Sequence, residues 1–404
     1  MENNMKLCRL CRIESVVELA NMGLQPICNR FIENPSDNEY THPMIIGQCK
    51  ACGLIQLINP VPASEVLPRY EWITYSEPEE HLDQLSEIIS DLPCLTKEAS
   101  ICGISFKDDS TLQRLESRGF RHIYRISMED DFAIKDRRAG AETIQSRMTT
   151  DMADKMVNKY GSFDIVIVRH ILEHAHDTFG FMQAVKRLVK PQGYIVFEVP
   201  DCMKALEKND YTTLWEEHIV YFTPETFRHC FAFGGLSLVR FESYPYPFEN
   251  SLVGIMRSHD GVINPFPSGD VLDNERRTAQ VYVDGLPGHI FKIKRFLSEY
   301  RQDKGKIALF GAGHLACTFI NLLELKDLIE FIVDDNPNKR GLFMPGSRLP
   351  IYESSMLVRE NVKLCLLSLS PNSEDMVIQR NRNFVEHGGR FFSIFPASKH
   401  ALQV

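Results

Sequence analysis

The feature that most restricts this chain is an alternation, met twice, of short apolar runs with helical patterns. Residues 97–260 carry the runs SICGIS, HIYRIS, FDIVIV and GYIVFEV, and residues 305–400 carry KIALFG, IEFIVDD, KLCLLSL and RFFSIF. Runs this short and apolar, spaced by amphipathic helices, build parallel sheets with right-handed crossovers and helices on both faces. Two separate α/β domains follow, and 404 residues have room for them and for a smaller third part. The expected division is 1–60, a cysteine-rich domain; 61–96, a connector with the helical pattern HLDQLSEIISDL; 97–260, the first α/β domain; 261–304, a linker and a helix interrupted near Pro287-Gly288; and 305–404, a Rossmann-like domain.

Bulk properties remove several classes of function. A composition of 44% apolar and 25% charged residues is that of a soluble globular protein. A net charge of −9 provides no general basic field for nucleic acid and no polybasic membrane patch. No run of apolar residues is long enough to span a bilayer, and the start MENNMKLCRLCR has no apolar signal core. The expected setting is the cytoplasm, with neither nucleic acid nor membrane as partner. Oligomeric state is not encoded in these features.

In that setting, eleven cysteines point to metal ligands and buried thiols before disulfides. Cys8-x2-Cys11 and Cys49-x2-Cys52 are two tight turns that each aim two sulfurs at one point, and Gly53 follows the second. Together they complete an all-sulfur tetrahedron suited to Zn²⁺. A closed four-thiolate shell leaves no open position, so the role is structural. Cys28 and His42, between the pairs, are bystanders to that shell.

Proton-transfer groups crowd two places in the first α/β domain. Strand FDIVIV runs into RHILEHAHD, which sets His170, Glu173, His174, His176 and Asp177 at the carboxyl end of a parallel strand, where ligands bind. His170 and His174 stand four apart and would share a face if that stretch were helical; as a metal pair they lack an evident third ligand. After the next strand, LWEEHIVYFTPETF places Trp215, Glu216, Glu217, His218 and Tyr221 just ahead of a helix that Thr223, Pro224 and Glu225 would start. Two carboxylates, an imidazole and a phenol so close together are the groups of acid–base chemistry.

With these motifs assembled, the chain resembles the sugar-nucleotide C-methyltransferases that act on 3- or 4-keto deoxysugars. The resemblance runs over essentially the whole sequence. It is carried by CRLC, LANMGLQPICNRF, QCKACGLIQL, HILEHAHD, EVPD, EEHIVYF, FGAGHLA, VDDNPNKRGLFMPGSRLPIY and GGRFFSIFP. It implies a zinc domain, a class I S-adenosylmethionine (SAM) domain and a C-terminal Rossmann-like domain. It also implies a reaction in which a base removes the proton beside a ketone and the enolate carbon takes a methyl group from SAM. By motif match, His218 is the implied base, Glu217 its orienter and His174 a second catalytic histidine. A family tyrosine falls in YEWITYSEP, where Tyr70 and Tyr75 both fit. Another stands where this chain has Trp215, which cannot donate as a phenol does.

The same resemblance places cofactor contacts at Gly103, Ser105, Lys107 and Asp108 in the loop after the first strand, at Ser127 after the second, and at His170. This loop departs from the family pattern, which has glycines around an Asn-Asp pair. Ser105 and Asp109 replace the glycines, Lys107 replaces the asparagine, and Asp108 is kept. The acid expected to grip the ribose at the end of HIYRIS is delayed to Glu129, Asp130 or Asp131. For the substrate, the implied contacts are Trp215, Tyr221, Gly311, Gly313, Asp334 and Asn372. Gly311 and Gly313 give part of a dinucleotide fingerprint, and Asp334 falls at ribose distance from them; the resemblance implies a sugar nucleotide there instead. Lys339, Arg340 and Arg348 are candidates to offset diphosphate charge. Three functions are carried forward: SAM-dependent C-methylation of a nucleotide-linked keto sugar, acid–base chemistry on such a sugar without SAM, and sugar-nucleotide binding without catalysis.

Overall fold

The computed structural model describes residues 6–73, 77–259 and 264–403. At the N-terminus, β1 (Lys6–Leu7), β2 (Glu14–Pro26), β3 (Thr41–Cys49) and β4 (Ile55–Leu57) form an antiparallel meander. The connector holds the helix Leu82–Ser90, whose apolar face is buried.

The middle domain contains β5 (Ser100–Gly103), β6 (His122–Arg125), β7 (Phe163–Arg169), β8 (Val189–Pro200), β9 (Val220–Tyr221), β10 (Leu236–Tyr244) and β11 (Ser251–Ser258). Its sheet runs β10-β11-β8-β7-β5-β6. Strands β6, β5, β7 and β8 are parallel, and β11 and β10 close one edge antiparallel. Ile165, Val166, Ile167 and Val168 of β7 are each 0% exposed, which is why that run shows no polar alternation. Burying each contributes roughly 1.5–3 kcal/mol. The chain leaves β5 toward β6 and returns on the other side as β7, so the crevice between the carboxyl ends of β5 and β7 is the switch point where ligands bind.

Strand β9 departs from this sheet and pairs with β4, Ile55 opposite Tyr221 and Gln56 opposite Val220. The first two domains are thereby stitched together at the segment 214–222. The C-terminal domain is a parallel sheet β14-β13-β12-β15-β16, built from β12 (Ile307–Phe310), β13 (Phe331–Val333), β14 (Ile351–Tyr352), β15 (Leu364–Leu367) and β16 (Arg390–Ser393).

One expectation is corrected. The helix does not break at Pro287-Gly288; it runs unbroken from Gly269 to Asp303. Pro287 costs about 3 kcal/mol inside a helix, but both halves are held by packing. Tyr282 and Val283 are buried on one side of the proline, and Ile293 and Leu297 on the other. The Tyr211 hydroxyl donates to the Tyr282 carbonyl at 2.7 Å, and Tyr282 donates to that of Asp210 at 3.0 Å. Among the described residues no helix is long and apolar enough to cross a membrane.

Candidate active site

The two cysteine pairs meet. The Sγ atoms of Cys8 and Cys52 lie 3.7 Å apart and those of Cys11 and Cys49 3.6 Å, with all four within 4.8 Å of one another. Zn–S bonds of about 2.3 Å in a tetrahedron require sulfurs about 3.8 Å apart, so the four thiolates fit zinc. Each knuckle closes in the same way: Arg12 N–H donates to Cys8 O and Gly53 N–H to Cys49 O, with φ of 62° and 81°. Ser15 Oγ lies 2.9 Å from Cys49 Sγ as an outer partner. Cys28 and His42 stand outside the cluster, as expected.

The acid–base groups gather where all three domains converge on residues 214–222. Ile219 N–H donates to Glu173 O at 2.7 Å, which lays WEEHIVYF against HILEH. From the first domain, Cys28 donates its N–H to Glu216 Oε1 at 2.6 Å and its thiol to Oε2 at 3.1 Å. Asn29 Nδ2 donates to Glu217 Oε1 at 2.9 Å. From the C-terminal domain, Thr318 Oγ1 donates to Leu214 O at 3.2 Å, and the His314 ring stacks on Trp215 at 4.3 Å between centroids. His174 and His218 meet edge to face at 4.9 Å, and Trp215 lies 4.9 Å from His218.

His170 and His174 do not share a helix face. Only Leu172–His174 turns helically, and His170 sits ahead of it in the left-handed region, φ 51°. That backbone turns the two rings apart and gives them opposite charge states. Burial alone would discharge His170, but Glu77, Glu173 and Glu198 outweigh it and lift its pKa to about 10. Burial, with His218 and Lys107 nearby, drives His174 well below its ordinary value. Burial likewise lowers His218 to about 3 and His314 to about 4. Three neutral imidazoles therefore face one another while a fourth stays charged, the kind of separation that assigns acid and base roles. His174 Nδ1 is buried with no hydrogen-bond partner among the described residues.

Glu217 is buried, and burial with Glu216 beside it pushes its pKa well up. Its carboxylate accepts from the Asn29 amide, and no hydrogen bond to the His218 ring is found among the described residues, so the orienting contact expected of it is not formed. Donor atoms of Glu173, His174 and His218 lie within 4.8 Å of one another. The metal pair weighed from the sequence thus changes membership, with His218 and Glu173 in place of His170. A cation already acts on this group: the charge of Lys107 is felt at Glu173, His174 and His218.

The loop after β5 is not a glycine cradle. Ser105 caps a single turn, Phe106–Asp108, accepting from Lys107 N–H at 3.1 Å, while Asp108 Oδ2 accepts from Ser105 N–H at 2.8 Å. Backbone donors that a glycine loop turns toward a ligand are here taken by the loop's own side chains. Asp108 is fully buried and also accepts from Arg169 N–H at 2.9 Å; burial lifts its pKa to about 7. Across the switch-point crevice, the Arg169 guanidinium donates to Lys107 O at 2.6 Å and to Glu198 at 2.6 Å. Glu198 is a hub: His170 Nε2 lies 3.2 Å away, His81 Nε2 3.1 Å, and Ser251 donates at 2.8 Å. Asp109 pairs with Arg125 at 3.1 Å.

Beside this loop is a cavity of about 480 Å³. Its lining includes Phe106, Met128, Glu129 and Ile134, and also Lys107, His174, Trp215 and Glu217. Of the three delayed acids, Glu129 reaches the cavity; Asp131 is held by Lys159 and Tyr160, and Asp130 by Ser127. Ser127 is thus a local cap, and Gly103 lies at the end of β5 beneath Asp108.

The remaining expected residues separate. Tyr75 lies outside the described residues. The Tyr70 hydroxyl donates to Glu33, and that of Tyr221 is held by the Trp215 backbone, accepting its N–H and donating to its C=O. Asp334 holds its own turn, accepting from Ala312 N–H at 2.9 Å and from Lys339 at 2.9 Å, rather than standing open to a ribose. Gly311, φ 103°, packs against Ser368, where a Cβ would come within 3.0 Å of the hydroxyl; Gly313 caps the helix that begins with His314. Asn372 is exposed in the first turn of the helix Pro371–Arg380. Arg340 pairs with Glu353, and Arg348 binds the Pro35 and Asp37 carbonyls, so the basic residues proposed for diphosphate serve structural contacts. Unforeseen from the sequence were Asn29, Glu77, His81, Arg169, Glu198 and His314. Asn29, Arg169, Glu198 and His314 stand inside motifs quoted above, but their partners in the fold come from other segments.

Comparison with known proteins agrees with this architecture. A family described as "putative zinc binding domain" matches residues 8–66, a methyltransferase domain matches 130–240, and a C-methyltransferase C-terminal domain matches 280–396. The C-methyltransferase NovU of Streptomyces niveus is 22% identical over 402 residues, covering 96% of this chain and 95% of its own. Among solved structures, magnesium protoporphyrin IX methyltransferase from Synechocystis, with bound SAH, is 13% identical over 46% of this chain and 91% of its own, with a TM-score of 0.31. A SAM-dependent methyltransferase from Clostridium acetobutylicum is 8% identical over 46% and 93%, with a TM-score of 0.31. The middle domain has the class I methyltransferase fold, and the protein is an enzyme of methyltransferase type. More particularly, the zinc-binding, methyltransferase and C-methyltransferase C-terminal domain matches follow one another along the chain in that order, and NovU is similar to it over nearly the whole of both chains.

Proposed function

We infer that this protein is a SAM-dependent C-methyltransferase that acts on a nucleotide-linked keto deoxysugar through an enolate. The observation that carries the reading is the contact of neutral His218 with His174, which together with Glu217 lines a cavity also lined by Phe106, Met128, Glu129 and Ile134. Within that lining Glu129 would take the ribose hydroxyls of SAM, and Phe106, Met128 and Ile134 its base. When bound, SAM supplies an electrophilic methyl group to a carbon nucleophile.

The chain's own residues prepare that nucleophile. A neutral His218 takes the proton from the carbon beside the ketone: the C–H bond breaks, its electrons form C=C, and the carbonyl oxygen becomes an enolate. His174, with Nδ1 unpartnered, lies beside His218 to bind the sugar or receive the proton. Trp215, braced by His314, forms an apolar wall that excludes water. The C-terminal domain braces the segment that carries His218, through His314 on Trp215 and Thr318 on Leu214.

A second reading has its own observation. In the loop Ser105–Asp108 the N–H groups of Ser105 and Lys107 are spent on the loop's own side chains, and Arg169 laces the crevice. That arrangement favours proton transfer on the same sugar without a methyl donor. Calorimetry of the full-length protein with S-adenosylhomocysteine, together with mass spectrometry of keto-sugar nucleotides incubated with SAM, decides between them. Binding and a product heavier by one methylene support methylation. No binding at millimolar ligand overturns it, and retained exchange of the sugar proton in heavy water then assigns the second reading. Binding of the sugar nucleotide without either reaction leaves only a non-catalytic role.

A further inference from the structure

We propose that Lys107 is the enolate-stabilising cation of this site, a catalytic residue that stands where the loop of other family members has an asparagine. The proposal rests on the enolate reading above. An enolate requires a donor aimed at the oxygen where charge develops, and in a site closed to water that donor contributes heavily to the rate.

Of the phenols expected to serve, Tyr70 donates to Glu33 and Tyr221 to the Trp215 carbonyl, while Tyr75 lies outside the described residues. Lys107 lines the cavity together with His174, Trp215 and Glu217; Arg125, Lys135, Arg137 and Arg138 line it too, but the charge that acts on both His174 and His218 is that of Lys107. Its side chain is 12% exposed, and its ammonium lies 2.7 Å from Glu77 Oε1. Among the described residues Glu77 is the ammonium's one hydrogen-bond partner, and an ammonium carries three donors. Burial opposes its charge, but Glu77 outweighs burial and keeps it an ammonium. Its field reaches His174, His218 and Glu217, which places the charge among the groups that would move the proton. The backbone is held as firmly as the side chain, since Lys107 O accepts from Arg169 and Lys107 N–H donates to Ser105. The step balances: His218 gains the proton, the carbonyl oxygen gains the electron pair, and Lys107 donates a hydrogen bond to that oxygen without giving up its proton.

The experiment measures two quantities on the full-length protein. Deuterium uptake beside the ketone of thymidine- and cytidine-diphosphate-linked 4-keto-6-deoxyhexoses is followed by NMR in heavy water, without methyl donor. Affinity for S-adenosylhomocysteine is measured by calorimetry. Lys107→Met should slow uptake by about 10²–10³-fold, with cofactor affinity changed less than threefold and Lys107→Arg recovering part of the loss. A double variant, Lys107→Met with Glu77→Gln, removes both charges and should show the same slow uptake with an unchanged melting temperature, which separates chemistry from folding. Wild-type uptake in Lys107→Met overturns the proposal. So does a tenfold loss of cofactor affinity with uptake unchanged, which makes Lys107 a cofactor anchor. Absence of uptake by the wild-type protein on either probe overturns the enolate reading itself, and this proposal with it.

Discussion

Replacing Glu198 by leucine tests whether the buried charge hub between β7 and β8 holds the middle domain together. Glu198 is 0% exposed and Arg169 2% at the side chain, with 2.6 Å between carboxylate and guanidinium. The carboxylate also faces His81 and His170 and accepts from Ser251. Removing one partner of a buried ion pair costs about 3–5 kcal/mol, because the other charge stays desolvated. The hydrogen bond from Ser251 adds about 1 kcal/mol. His170 can shed its proton once Glu198 is gone, which limits the penalty, so about 4 kcal/mol is expected. The double variant Arg169→Met with Glu198→Leu removes both charges at similar volume. It forfeits chiefly the Arg169 bond to Lys107 O and should cost about 1–2 kcal/mol, well under the sum of the single costs. Because three domains need not unfold in one step, the assay is equilibrium urea unfolding read by hydrogen exchange in peptides from β7 and β8. A single-variant cost below about 1 kcal/mol, or additive costs in the double variant, would refute the reasoning.

Three further outcomes are expected. Metal analysis of the full-length protein should find about one zinc per chain, lost with Cys49→Ser together with a lower melting temperature; a zinc-free protein of unaltered stability would refute the four-thiolate site. If His218 is the base, burial keeps it neutral down to about pH 3, so the rate of proton exchange should hold as pH falls through 6, and an acid limb at the ordinary histidine value, about 6.5, would remove it from that role. His170, raised to about 10, contributes stability that is fully present below its unfolded pKa of about 6.5 and is lost as pH rises through 10. Urea midpoints of the wild type should therefore fall across that window relative to His170→Gln, and parallel pH profiles would falsify the assignment.

Much of the architecture was legible because it follows from period and spacing. FDIVIV could be only a doubly covered strand, and Thr223-Pro224 announced the helix that it caps with a bond to Thr226 N–H. Two C-x2-C turns specified a four-sulfur site, since each turn fixes its own two ligands locally. Pro287 misled, because a local penalty was outweighed by packing that only the folded chain supplies.

The site divided along the same line. The amino-acid sequence alone determined which chemistry is present: histidines and carboxylates at strand ends, and a loop short of glycine. It did not determine what each would do. His170 and His174 are separated by a left-handed backbone turn, and their charge states are then set by Glu198 and Glu77 on one side and by His218 and Lys107 on the other. Asn29 reaches Glu217 across 188 positions, and His314 reaches Trp215 from another domain. Local periodicity and turn chemistry depend on neighbours in the chain, so a sequence displays them. Proton affinity depends on burial and on charges brought near from distant segments, so only the tertiary structure decides which groups are neutral, which are charged and which face the cavity.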